Sequence, residues 1–291
     1  VRKMAGEGGQ ARPYTITRIL NHNVILVEES CSSQEIVLFG KGIGYGIKPG
    51  ETVQVTDARV EKRFRLEQEH HQAQYQAMLN QVDPAVVGIA EEIIALVAQE
   101  ITPVLNEHVH VALPDHIHFA IYRLRNGLEI VNPFLFEVQA LYPKEYLLAG
   151  RAGEMIQKAF SLDIPESEIG FLALHIHAAV SHTPVNKTVQ LTHWIGEWVS
   201  LIEERAQQQI DRSSVDYVRL ITHLRFTVER VQRQKPIKNP LLDRVKAMIP
   251  DVYPIAEALC ASIAEKLGAA VPEDEVGYLA LHLYRMFYRP N

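Results

Sequence analysis

The sequence predicts a multidomain chain: a small antiparallel β unit followed by two all-α helical bundles. Three observations carry this. Short β-branched runs divided by turn residues occupy residues 14–57, helical spacing of apolar residues takes over from about Ala58, and the helical part repeats itself without a gap. A chain of 291 residues is also expected to hold more than one core, because single cores stop growing near about 250 residues.

In the β unit, residues 15–20, 24–28, 36–39 and 52–56 read as strands. Turn clusters separate them at Asn21-His22-Asn23, at residues 30–34 and at Lys48-Pro49-Gly50-Glu51. So small a unit buries little apolar surface alone, which predicts pairing with a second copy as a homodimer. Residues 59–79 are charged and helix-permissive. Val86, Ile89, Ile93, Leu96 and Val97 then mark one face of a helix over residues 85–101. Pro103, Pro133, Pro143, Pro165, Pro184, Pro240, Pro250 and Pro272 mark helix starts or loops, since proline lacks the N–H that a helix interior needs.

A shift of 107 positions superimposes Asp115-His116-Ile117-His118-Phe119 on Thr222-His223-Leu224-Arg225-Phe226, and Arg123 on Arg230. It also brings Asn132-Pro133 onto Asn239-Pro240, and Glu168-Ile-Gly-Phe-Leu-Ala-Leu-His175 onto Glu275-Val-Gly-Tyr-Leu-Ala-Leu-His282. One helical domain is therefore present twice, with a junction near residues 181–187. The expected division is a leader at 1–13, the β unit at 14–66, and helical domains at 67–182 and 183–291.

Composition excludes several classes. Hydrophobic residues at 47% argue against general disorder, and no run approaches the roughly 20 apolar residues of a membrane span. Residues 1–12 lack the apolar core of a signal peptide, and the two cysteines, Cys31 and Cys260, do not form a disulfide framework or a zinc ribbon. A reducing cytoplasm is expected, with no membrane insertion. The formal net charge of −6 means that any nucleic-acid contact needs a local basic patch.

The repeat separates chemistry from packing. A lone histidine on an apolar helix face is most often a core or surface group, but here two recur at the same separation in each copy: His116 with His175, and His223 with His282. Metal binding is suggested by His108-Val-His110, His116-Ile-His118 and His175-Ile-His177. The second copy removes this reading, because Arg225 and Tyr284 replace two of the partners. General acid-base catalysis lacks an accompanying nucleophile. A phosphoryl acceptor needs one neutral imidazole at a time and no other catalytic residue, and its product carries charge able to break or make an interface. No enzyme activity, cofactor or metal is expected of this chain.

Together with Arg18-Ile-Leu-Asn21-His22-Asn23-Val24 and Gly40-Lys41-Gly42-Ile43-Gly44-Tyr45-Gly46 in the β unit, these repeated motifs resemble the BglG/LicT/GlcT family of transcription antiterminators, most closely its glucose-specific members. The resemblance spans essentially all of the chain after residue 13. It implies a co-antiterminator domain that binds a leader-mRNA hairpin as a dimer and stops formation of a terminator. Two phosphotransferase-system regulation domains, or PRDs, would follow. Their histidines would receive phosphate from the phosphocarrier HPr and a sugar-permease EIIB component, with opposite signs: inactivating on the first repeat and favouring activity on the second. Two features depart from the family pattern. Asparagine is common where this chain has His22, and the family domain tends to start near the first residue, whereas about a dozen residues precede it here.

The glycines of residues 40–46 serve a tight hairpin as readily as a ligand, and an Asn-rich turn needs no ligand. No Lys-Ser/Thr pair follows as in a phosphate-binding loop. With the resemblance, Gly40 and Gly42 allow close backbone approach, Lys41 meets phosphate and Tyr45 offers a face to an unstacked base. Asn21 and Asn23 supply amides for base edges, with Arg18 and Lys48 as lesser phosphate contacts. The alternative reading is a PRD-containing DNA-binding transcriptional activator. It requires a helix-turn-helix ahead of the repeats, where the short β runs stand instead.

Overall fold

Apolar residues at every second position of the strands put Ile16, Ile25, Val27, Ile36 and Leu38 on one face, where they bury together with Tyr14, Ile43 and Val53. In the computed structural model, which describes residues 13–29, 35–54, 56–128 and 130–288, five strands make one antiparallel sheet. They are β1 (Tyr14–Ile19), β2 (Val24–Glu29), β3 (Glu35–Phe39), β4 (Thr52–Val53) and β5 (Lys62–Arg65), in the order β4-β1-β2-β3-β5. A bulge in β1 between Ile16 and Arg18 shifts its register against β2. Residues 1–12 and 30–34, with Cys31 and most of the expected leader, lie outside the described residues.

Strand β5 corrects the helix-permissive reading of residues 59–79. Lys62-Arg63-Phe64-Arg65 is charged, which hides a strand from composition, but pairing along β3 gives its backbone a ladder at the sheet edge. The helix starts only at α1 (Glu69–Leu79).

The remaining helices are α2 (Pro84–Glu100), α3 (Val109–Arg125), α4 (Leu135–Leu141), α5 (Pro143–Phe160), α6 (Glu166–Ser181), α7 (Val185–Ala206), α8 (Val215–Gln232), α9 (Leu242–Met248), α10 (Tyr253–Leu267) and α11 (Glu273–Phe287). Proline punctuates them as expected: Pro143 opens α5, and Pro165 and Pro272 cap α6 and α11. The 107-residue shift carries α4 onto α9 from end to end and the start of α6 onto the start of α11. No described helix is long and apolar enough to cross a membrane.

Two compact units result. One comprises residues 1–132 and 144–185, so the sheet shares it with α1–α3, α5 and α6; the other comprises 133–143 and 186–291. In the first, α2 packs on β2 and β3, and its buried Glu91 accepts from Tyr75 Oη of α1 at 3.2 Å and lies 2.8 Å from His110 Nδ1 of α3. A buried carboxylate needs such partners, and here it ties three helices together. In the second unit, Tyr217 Oη of α8 donates to Glu137 Oε1 of α4 at 2.8 Å.

Candidate functional site

Two constellations stand out. The first is built where the β1–β2 turn meets the glycine-rich loop. Asn21 Oδ1 accepts from Asn23 N (2.8 Å), an Asx turn that shapes the hairpin, and Asn23 Oδ1 accepts from Gly42 N (3.0 Å). Backbone bonds from Gly40 N to Asn23 O and from Gly44 N to His22 O, both 2.9 Å, close the two loops into one surface. Lys41 and Tyr45 point outward, Tyr45 with 73% of its surface exposed. Single exposed tyrosines are common, but this one sits beside His22 (ring centroids 6.0 Å) on a loop fastened by these bonds.

The structure sorts the residues singled out by sequence. Gly40 is buried, and a Cβ there would lie 1.7 Å from the Arg59 carbonyl oxygen, so the close approach it permits is to the chain's own backbone. Arg18 donates to the Leu79 carbonyl at 2.7 Å, which commits part of its guanidinium inside the chain. The amide oxygens of Asn21 and Asn23 are used within the loops. Their Nδ2 groups both turn to Glu92 Oε1 of α2, at 2.8 and 3.3 Å.

The second constellation occurs twice. On α3, His116 and Arg123 are seven residues apart, and on α6 so are Glu168 and His175; seven residues are two helical turns, so each pair shares a face. The faces meet. His116 and His175 rings lie 4.5 Å apart, His116 Nε2 is 3.5 Å from Glu168 Oε2, and Arg123 Nη2 pairs with Glu168 Oε1 at 2.7 Å. On α8 and α11 the same four residue types recur: His223 and His282 rings at 4.7 Å, His223 Nε2 3.5 Å from Glu275 Oε2, and Arg230 on Glu275 at 2.6 and 2.7 Å. At 3.5 Å the histidine–carboxylate contact is longer than a hydrogen bond. Glu168 and Glu275 belong to the repeat match but carry no motif of their own; their role becomes visible only when α3 meets α6 and α8 meets α11. Asp115, next to His116 in sequence, is exposed, because adjacent residues on a helix point about 100° apart.

Electrostatics favour neutral rings. Burial first, then His175 and Arg123, push His116 well below its ordinary value; burial and His108 bring His175 to about 4. Burial and then the neighbouring His223 bring His282 to about 4. Burial alone would raise the Glu275 carboxyl, but His223, Arg230 and Thr227 outweigh it and hold it at about 2. His116, His175 and His282 are therefore held as neutral imidazoles at neutral pH, and Glu275 as a carboxylate. His282 and His223 also open on a cleft of about 240 Å³ lined by Val218, Arg219, Thr222 and Phe226.

These shifts predict acid lability. A histidine at about 4 when folded and near 6.5 when unfolded binds more protons unfolded, so its contribution is complete above about pH 6.5 and is lost as pH falls towards 4. Thermal melting of His175→Gln and His282→Gln is expected to show a shallower loss between pH 6.5 and 4 than the parent chain. Parallel pH profiles would contradict it.

Comparisons with known proteins agree in their parts. The CAT RNA binding domain family matches residues 14–73, and the PRD domain family matches residues 91–179 and again 196–286. The PtsGHI operon antiterminator of Bacillus subtilis is 42% identical over 94% of this chain and 97% of its own length. Protein GlcT of Staphylococcus haemolyticus is 32% identical over 93% of this chain and 95% of its own. A crystal structure of GlcT CAT-PRDI covers 58% of this chain and 99% of its own at 40% identity, with a TM-score of 0.49.

Proposed function

Because the chain belongs to the family of transcription antiterminators that join a CAT RNA-binding domain to PRD domains, we propose that it binds a leader-mRNA hairpin through the β-unit loops and is switched by phosphate on four histidines. It is an RNA-binding regulator under phosphotransferase control, not an enzyme. Asn21, Asn23, Lys41, Gly42 and Tyr45 form the RNA face, with Gly40 shaping its loop. The target RNA is bound by a homodimer in the cytoplasm, and glucose is the sugar sensed.

The observation that carries the switch is the geometry repeated in both copies: two imidazoles about 4.5 Å apart, one of them against a carboxylate held by arginine. Phosphate arrives from the phosphorylated side chain of HPr or of the EIIB component. The bond from phosphorus to the donor side chain breaks as a ring lone pair on this chain forms a new P–N bond, and the donor side chain leaves with the bonding electrons. Glu168 and Glu275 are positioning residues: they face Nε2 of His116 and His223 and favour the proton there, leaving Nδ1 to react. The added charge of about −1.5 to −2 then acts on symmetric contacts between chains. Phosphate on His116 or His175 inactivates; phosphate on His223 or His282 favours activity.

Incubation with each donor, followed by mass spectrometry that preserves acid-labile phosphohistidine, is expected to find label confined to His116, His175, His223 and His282. Labelling that survives replacement of all four would show the acceptors to be elsewhere.

A further inference from the structure

The two asparagine side chains of the RNA face are not free in this chain. Their oxygens build the loops, and both Nδ2 groups converge on Glu92 Oε1 of α2. The contact reaches across about 70 positions of sequence, from the β unit to the first helix of the repeat that follows it. Helix α2 is shaped to receive them. One turn before Glu92, and on the same face, stands Gly88, where a Cβ would lie 2.5 Å from Asn21 Nδ2 and 2.8 Å from its Cγ. Glycine weakens a helix interior more than any residue except proline, so its place inside α2, one turn from its start, calls for a reason, and the seat it leaves for the Asn21 amide supplies one.

We infer that Glu92 competes with RNA for the Asn21 and Asn23 amides, so that the first helical repeat closes the RNA face from within the chain. This rests on the reading of Asn21 and Asn23 as RNA contacts and adds the regulation of that site. Each amide Nδ2 carries two N–H donors, and the one given to the Glu92 carboxylate is unavailable to an acceptor on RNA. The competition is also electrostatic: a carboxylate at the face repels the phosphate backbone, so RNA binding requires α2 to withdraw Glu92. A regulatory event in the helical repeat thereby gains a direct route to the loops, since moving α2 by the length of one hydrogen bond exposes two donors together.

The test is a fluorescence-anisotropy titration of the full chain with a labelled hairpin from its own leader transcript, at fixed salt. Glu92→Ala removes the competing acceptor. Gly88→Ala displaces Asn21 while strengthening the helix, so its effect cannot come from loss of α2. Each is expected to tighten RNA binding about tenfold, the worth of one charge-assisted hydrogen bond. The gain should disappear when Asn21→Ala and Asn23→Ala are added. If these two asparagine substitutions weaken binding but neither Glu92→Ala nor Gly88→Ala tightens it, the competition is refuted and the RNA face stands. If the asparagine substitutions leave affinity unchanged, the RNA face itself is misassigned and the inference falls with it.

Discussion

Replacing Glu275 by Ala is expected to destabilise the second unit by about 3 kcal/mol. The Glu275 side chain is 1% exposed; its two oxygens accept from Arg230 and Thr227, and Oε2 lies 3.5 Å from His223 Nε2. Removing one member of a buried ion pair costs about 3–5 kcal/mol, because the partner charge stays desolvated. The low end applies here, since about a fifth of the Arg230 side chain reaches water. Pairing Glu275→Ala with Arg230→Ala should recover part of the loss, because the stranded guanidinium is then gone. Urea unfolding midpoints of the two single variants and the double variant measure this. A Glu275→Ala cost below about 1 kcal/mol would mean that the network does not hold the histidine pair in place.

Tyr45→Ala is expected to weaken RNA binding by about 1–3 kcal/mol, the range found when a base loses its aromatic stacking partner. The loop carrying Tyr45 is fastened by bonds from Gly42 to Asn23 and from Gly44 to His22, so the loss reflects the missing ring and not a collapsed loop. Tyr45→Phe should retain most of the affinity, since stacking needs the ring face and not the hydroxyl. A direct binding titration with both variants separates the cases; equal affinity for Tyr45→Ala and the parent chain would remove Tyr45 from the interface.

The sequence made the histidines legible because duplication filters chemistry from packing: His116, His175, His223 and His282 recur, whereas their metal-like neighbours His118 and His177 do not. Arg123 and Arg230 were visible for the same reason. The acids that complete each site were not singled out, since Glu168 lies 52 residues from His116 and only helix packing brings them within 3.5 Å. Asp115 adjoins His116 in sequence, but adjacency on a helix is the wrong geometry for contact. Strand β5 was hidden by its charge, and the Asn–Glu92 contact by its length in sequence. Local spacing thus reveals what one helix face or one turn carries, while partners supplied by another element require the fold.

Control of an RNA face by two histidine sites of opposite sign is tested most directly by RNA affinity of the full chain after His116→Asp and, separately, His223→Asp. Aspartate places negative charge where phosphate would sit, with less charge than a phosphoryl group. Titration against the leader hairpin is expected to show weaker binding than the parent for His116→Asp and equal or tighter binding for His223→Asp. Movement of both variants in the same direction, or no change in either, would contradict it.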